Sequence, residues 1–296
     1  MVTAKAKPAN DFLFFNYLNP LMTINCKGQL IDLRTPKVMG ILNVTPDSFF
    51  DGGKYSNESE IAKQVEKMLS EGADFIDIGG YSSKPNTEFV SESEELSRIL
   101  PVVKFISKNF PEAILSIDTF RSEVAKACVE NGGAIINDIS AGNLDENVLE
   151  TVAKLKVPYI MMHMRGNPQT MKTLTDYDDI VKEMLFYFSE RIAKARSLGI
   201  DDLIIDPGFG FAKTLEQNYE VMQKLELFQM TGLPILSGIS RKSMAYKPLE
   251  TSAKESLNAT TVLNTISLTK GAKILRVHDV KEAVECVKLF QLTVTN

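Results

Sequence analysis

Short runs rich in Val, Ile and Leu recur from Lys37 onward, each followed by a longer amphipathic stretch, and this alternation restricts the fold more than any other feature of the chain. It specifies a parallel sheet covered by helices, because parallel strands need a crossover and are buried on both faces. Eight runs can be marked, at 38–42, 75–78, 114–117, 134–137, 159–162, 203–205, 235–239 and 274–277. Helix-like stretches follow them at 58–71, 92–109, 122–131, 146–155, 178–198, 215–228, 254–269 and 280–289. Eight strand–helix units over about 250 residues match the length and order of an α/β (β/α)8 TIM barrel. A doubly wound open sheet is the rival, but it needs fewer strands or an extra edge, and no early GxGxxG is present.

Residues 1–36 fall outside the repeat, so the chain divides into an N-terminal extension with a hairpin, 1–36, and a catalytic barrel, 37–296. The segment 23–33, centred on Lys27-Gly28, reads as a β-hairpin that plugs the barrel bottom, and the first ten residues read as disordered. With 296 residues, 44% of them hydrophobic, the chain has ample material for one large core. A net charge of -5 argues against a nucleic-acid binder, which usually carries a basic surplus. Cys26, Cys128 and Cys286 are odd in number and widely spaced, so neither a disulfide framework nor a zinc site is indicated. After Asp11 only four apolar residues follow, too few for a signal-peptide core, and no stretch is long enough to span a bilayer. A cytoplasmic enzyme without membrane or nucleic-acid partners is the expectation.

Barrel enzymes draw their catalytic groups from the C-terminal ends of the strands. Here the runs end in Asn43, Asp77, Asp118, Asn137-Asp138, His163, Asp206, Ser240-Arg241-Lys242, and Arg276 with His278. A carboxylate just past a strand also serves as the N-cap of the next helix, and that bland reading stands for Asp77, Asp138 and Asp279. For Asp118, Asn137 and Asp206 it would have to recur at three sites by accident, so a polar floor under one pocket is preferred. Two carboxylates and an amide suit a flat heterocycle whose edge offers adjacent N–H donors, such as a pterin or guanine, with Lys242 as a further donor. A sugar or an amino acid fits the same mixture. Arg241, Lys242, Arg276 and His278 form a cationic cluster where many barrels hold a phosphate, and Arg276 and His278 point the same way in extended chain. The alternative is that Arg276 merely pairs with a local acid such as Asp279. The segments 43–53 and 79–87 carry Gly, Pro and Ser on the active face, as lids do, although inert loops share that composition.

Seven motifs in this order resemble those of the dihydropteroate synthase family: Met39-Gly-Ile-Leu-Asn-Val-Thr-Pro-Asp-Ser-Phe, Ser116-Ile-Asp-Thr, Ile136-Asn-Asp-Ile-Ser, Met162-His-Met, Asp206-Pro-Gly-Phe-Gly-Phe, Ser240-Arg-Lys-Ser and Arg276-Val-His-Asp. The resemblance implies an enzyme that joins a pterin methyl diphosphate to 4-aminobenzoate, usually as a homodimer. It implies that Asp118, Asn137, Asp206 and Lys242 hold the pterin, with Met162 beside it, and that Asn43, Arg276 and His278 hold the diphosphate, Asn43 through Mg2+. Phe211 and Ser240 with the lid residues Ser83, Lys84 and Pro85 would bound the 4-aminobenzoate pocket, and Asp51 and Ser83 would act once the lids close. Asp51, Lys242, Arg276 and His278 are thus the implied catalytic set. Ser83 stands where the family usually has threonine, and Lys84 and Asn86 where arginine and glycine flank the proline. Lysine keeps the charge but loses the bidentate fork, so affinity for 4-aminobenzoate or its sulfonamide mimics is affected most. A pterin-dependent methyltransferase relative and a non-catalytic pterin-binding barrel are the competing readings.

Overall fold

The computed structural model describes residues 22–44, 54–81 and 90–294. The expectations for residues 1–10 and for Asp51, Ser83, Lys84, Pro85 and Asn86 fall outside the described residues. Strands β1 (Thr23–Cys26) and β2 (Gln29–Asp32) pair antiparallel around Lys27-Gly28. Both turn residues have positive φ, 55° and 84°, the hairpin geometry whose twist matches that of the strands it joins.

Eight parallel strands then close a barrel in the order β10-β3-β4-β5-β6-β7-β8-β9. They are β3 (Lys37–Asn43), β4 (Phe75–Gly79), β5 (Leu115–Asp118), β6 (Gly133–Asp138), β7 (Tyr159–Met162), β8 (Leu203–Asp206), β9 (Ile235–Ser237) and β10 (Ala272–Val277). The helices outside them are α1 (Lys54–Ser70), α2 (Glu92–Asn109), α3 (Ser122–Glu130), α4 (Val148–Leu155), α5 (Ile180–Ser197), α6 (Leu215–Gln223), α7 (Ser243–Tyr246), α8 (Leu257–Thr269) and α9 (Val280–Val294). The seventh strand is shorter than its apolar run, because the chain turns at Ile239, whose carbonyl accepts from the Lys242 amide. The stretch expected as one helix at 215–228 is α6 followed by a 3-10 segment, Leu225–Thr231, that ends on Gly232 at φ 70°.

Side chains alternate across each strand, and the alternation divides the barrel interior into two layers. The lower layer is apolar. Met39, Phe75, Ile135, Ile160, Ile204, Leu236 and Ile274 pack there against Ile24, Cys26, Ile31 and Leu33 of the hairpin region. The hairpin therefore seals the N-terminal mouth, as expected, and the Asn25 amide donates to Asp202 to hold it there. The intervening residues Ile76, Ile117, Ile136, Met161, Ile205 and Leu275 face outward into the helix layer. Two residues above the lower layer, at the same inward phase, stand Asp77, Asn137, Met162, Asp206 and Arg276. One strand thus supplies both an apolar floor block and a polar pocket group.

Candidate active site

The pocket is built on two part-buried ion pairs that share one arginine and link strands far apart in the sequence. Arg276 on β10 donates through Nε to Asp77 and through Nη2 to Asp118, both at 2.6 Å. Asn137 on β6 completes the row, donating from Nδ2 to both Asp77 oxygens at 3.3 and 3.2 Å. Asp77 has no exposed surface, so it belongs to this network and caps no helix; α2 is capped instead by Ser91. Arg276 pairs with these strand carboxylates and not with Asp279, which is taken by Arg241 at 2.5 Å. Arg241, at φ 59°, points out of the cationic cluster drawn from the sequence. Burial pushes the Asp118 carboxyl up, opposed by Arg276.

Asp206 stands across the pocket at the end of β8, where Oδ1 accepts from the Gly208 amide at 2.7 Å. Burial raises its pKa, opposed first by the charge of Lys242. Lys242 reaches in from the turn after β9, its Nζ 2.5 Å from the Phe209 carbonyl and 4.8 Å from the centre of the Phe211 ring. Burial pulls its ammonium down to about 8, so it is a cation easily stripped of its proton and a strong donor while it keeps it. Met162, Phe211, Ile139 and Met164 form the apolar wall beside this donor. Ser240 accepts from the His278 amide at 3.1 Å and lies 3.0 Å from His278 Nδ1.

Asp138, next to Asn137, faces the other way. Its oxygens accept from the Ser140 amide and hydroxyl, the Gly142 amide and Tyr159, and so tie down the loop after β6. His163, just beyond β7, is also turned out of the pocket: its Nδ1 lies 3.1 Å from Nζ of Lys213, a buried lysine that sequence reading passed over. Lys213 lies seven residues past Asp206, and nothing in the local sequence marks it as buried. A recess of about 1050 Å3 bounded by Tyr81, Phe120, Arg121 and Arg191 lies off this axis and includes none of the floor residues.

Asn43 ends β3, exposed at the mouth. Its register partner is Gly79, which in turn is paired with Asp118. Among the described residues no group of three His, Cys, Asp or Glu could hold a metal. One amide oxygen at an open mouth nevertheless fits Mg2+, which takes few protein ligands and fills its shell with phosphate oxygens and water.

A closed barrel whose strand ends carry two carboxylates and an amide, with a lysine beside them, is compatible with a pterin-binding enzyme, and residues 39–278 match the family described as pterin binding enzyme. The similarity to characterised proteins is close. The chain is 42% identical over 276 residues to the dihydropteroate synthase of Escherichia coli K12, covering 93% of this chain and 97% of that one. It is 41% identical over 274 residues to the Haemophilus influenzae enzyme, covering 92% and 99%. Among solved structures, the Yersinia pestis dihydropteroate synthase with a sulfonamide drug complex superposes with TM-score 0.86 at 39% identity, covering 92% and 99%. The Xanthomonas albilineans enzyme with 4-aminobenzoic acid gives TM-score 0.86 at 35% identity, covering 94% and 100%. The chain belongs to the dihydropteroate synthase family.

Proposed function

We propose that the chain condenses (7,8-dihydropterin-6-yl)methyl diphosphate with 4-aminobenzoate to give 7,8-dihydropteroate and diphosphate in folate biosynthesis. The observation that supports the reading is the charge cluster at the strand ends above the apolar lower layer, where Lys242 feels the charges of Asp206, Arg276 and Asp118, and Asn137 is bonded to the same network through Asp77. Asp206 and Asp118 accept from the N–H edge of the pterin, Lys242 donates to a ring oxygen or nitrogen, and Met162 packs against the ring.

In the reaction the C–O bond to diphosphate breaks, its electron pair leaving with the diphosphate. The arylamine nitrogen then forms the new C–N bond and releases a proton to solvent. Because the pterin ring delocalises positive charge, C–O cleavage runs ahead of amine attack. The two carboxylates stabilise the cationic ring, and Arg276 and His278 meet the departing diphosphate. Arg276 uses Nε and Nη2 on Asp77 and Asp118, which leaves Nη1 for the diphosphate. Asn43 would hold a Mg2+, which would supply charge neutralisation at the departing diphosphate. Phe211 and Ser240 bound the arylamine side. A sulfonamide that mimics 4-aminobenzoate should compete there, as the drug complex of the Yersinia pestis relative suggests.

The working unit is proposed to be a homodimer, supported by exposed Val262 on α8 and Leu289 and Leu292 on α9. The reducing cytoplasm suits the three buried, unpaired thiols. No helix among the described residues is long and apolar enough to cross a membrane.

Diphosphate release measured with and without 4-aminobenzoate tests the reading. Release that depends on the arylamine supports it, whereas methyl transfer or simple pterin binding without release favours the methyltransferase or non-catalytic alternative. Full activity after exhaustive chelation would remove Mg2+ from the account.

A further inference from the structure

We propose that Lys213 is a positioning residue for the pterin pocket: its buried amine cross-links the loop after β8 to His163 beyond β7, and so sets where Asp206 and Phe211 stand. This rests on the pterin reading of the site. Lys213 Nζ lies 3.1 Å from the Gly208 carbonyl, 3.0 Å from the Phe211 carbonyl and 3.1 Å from His163 Nδ1. The protonated amine has three N–H donors, and two carbonyls and the His163 Nδ1 surround it. Lys213 therefore acts on the loop and not on a ligand.

His163 is built to receive it. The imidazole is 2% exposed and meets the Tyr187 ring edge-on, with centroids 4.9 Å apart. Burial, reinforced by the charges of Lys213 and Arg165, holds its pKa well below the ordinary value. The ring is therefore neutral, and Nδ1 accepts in the tautomer that suits the Lys213 amine beside it, whose own pKa burial pulls down to about 7. The His163 amide also donates to the Asp206 carbonyl at 2.9 Å, so one residue holds both the pocket strand and its lysine strut.

The loop has little freedom otherwise. Asp206 Oδ1 accepts from the Gly208 amide, the Gly208 carbonyl accepts also from the Phe211 amide at 3.1 Å, and Tyr177 donates to the Ala212 carbonyl at 2.9 Å. Removing the lysine amine leaves the Phe211 carbonyl and His163 Nδ1 without this donor in a buried setting. The segment carrying Asp206 and Phe211 must then shift to find water. A displacement of about 1 Å in a binding constellation costs up to roughly a hundredfold.

The test is calorimetric titration with (7,8-dihydropterin-6-yl)methyl diphosphate, run with steady-state kinetics and thermal unfolding on the full chain and on Lys213→Met, His163→Leu, His163→Asn and the double variant Lys213→Met/His163→Leu. Binding roughly tenfold to a hundredfold weaker is expected in Lys213→Met and His163→Leu, with the pterin KM rising more than kcat falls. The double variant should bind no worse than Lys213→Met alone. His163→Asn, whose amide offers an acceptor near the Nδ1 position, should recover most of the loss. A folded Lys213→Met variant with wild-type pterin affinity and KM overturns the proposal. If that variant does not fold, equal affinities in His163→Leu and His163→Asn overturn it instead. Failure of the wild-type chain to bind the pterin would defeat the underlying reading, and this inference with it.

Discussion

Replacing Asp77 by asparagine removes one charge from the pocket and almost no volume, so its effect can be worked from the contacts. The Arg276 Nε to Asp77 bond, 2.6 Å long, is charge-assisted and worth about 1.5–3 kcal/mol, against about 0.5–1.5 kcal/mol for a neutral acceptor. Loss of the charge therefore costs about 1–1.5 kcal/mol. Asn137 donates to both Asp77 oxygens, and with asparagine at 77 one of those positions becomes an NH2 facing another NH2. Asn137 must turn its amide over, for about another 1 kcal/mol. The sum, about 2–2.5 kcal/mol, lowers the unfolding midpoint by about 3–4 °C for a chain of 296 residues. The turned amide also presents N–H where the pterin edge needs an acceptor, and the pterin KM rises about tenfold or more, 1.4 kcal/mol being worth a decade. Thermal unfolding and diphosphate-release kinetics on Asp77→Asn read both effects. An unchanged midpoint together with an unchanged KM would refute the view that Asp77 holds Arg276 and Asn137 in place.

Lys242 makes stability and activity respond to pH in opposite directions. Its folded pKa lies at about 8 against an ordinary 10.5, so between those values the unfolded chain binds more protons than the folded one and stability rises with pH. Relative to Lys242→Met, the wild type should gain stability across that window while losing pterin affinity as the donor is deprotonated; a stability difference flat in pH would sink the assignment. Gly208 sits at φ 68°, and a Cβ there would lie 2.3 Å from the His163 carbonyl oxygen. Gly208→Ala should destabilise by about 1–3 kcal/mol and weaken pterin binding at least tenfold by titration, and unaltered affinity would show that the loop geometry around Asp206 is dispensable.

The repeat of buried runs and amphipathic stretches determined the barrel, because burial on both faces and crossover by helices leave that length of chain few other closed solutions. The hairpin was equally legible, since Lys27-Gly28 supplies the positive φ that the turn needs. Asp118, Asn137 and Asp206 could be read as pocket groups because each ends an apolar run at the face where barrels act. Asp77 occupies the same phase two residues after Phe75, yet local sequence could not separate a floor carboxylate from a helix cap: the answer depended on Arg276, 199 residues away. The same holds for the arginines. Arg276 lies three residues from Asp279 in the chain and Arg241 38 residues away, yet Arg241 takes Asp279 while Arg276 turns inward, an outcome only the closed sheet decided. Lys213 reads as a surface-loop lysine until β7 and β8 are paired and His163 is folded beneath it. Period-two patterning is written in consecutive residues and therefore survives in the sequence. Which charge meets which across the barrel is written in no local stretch, and it was decided only when the sheet closed.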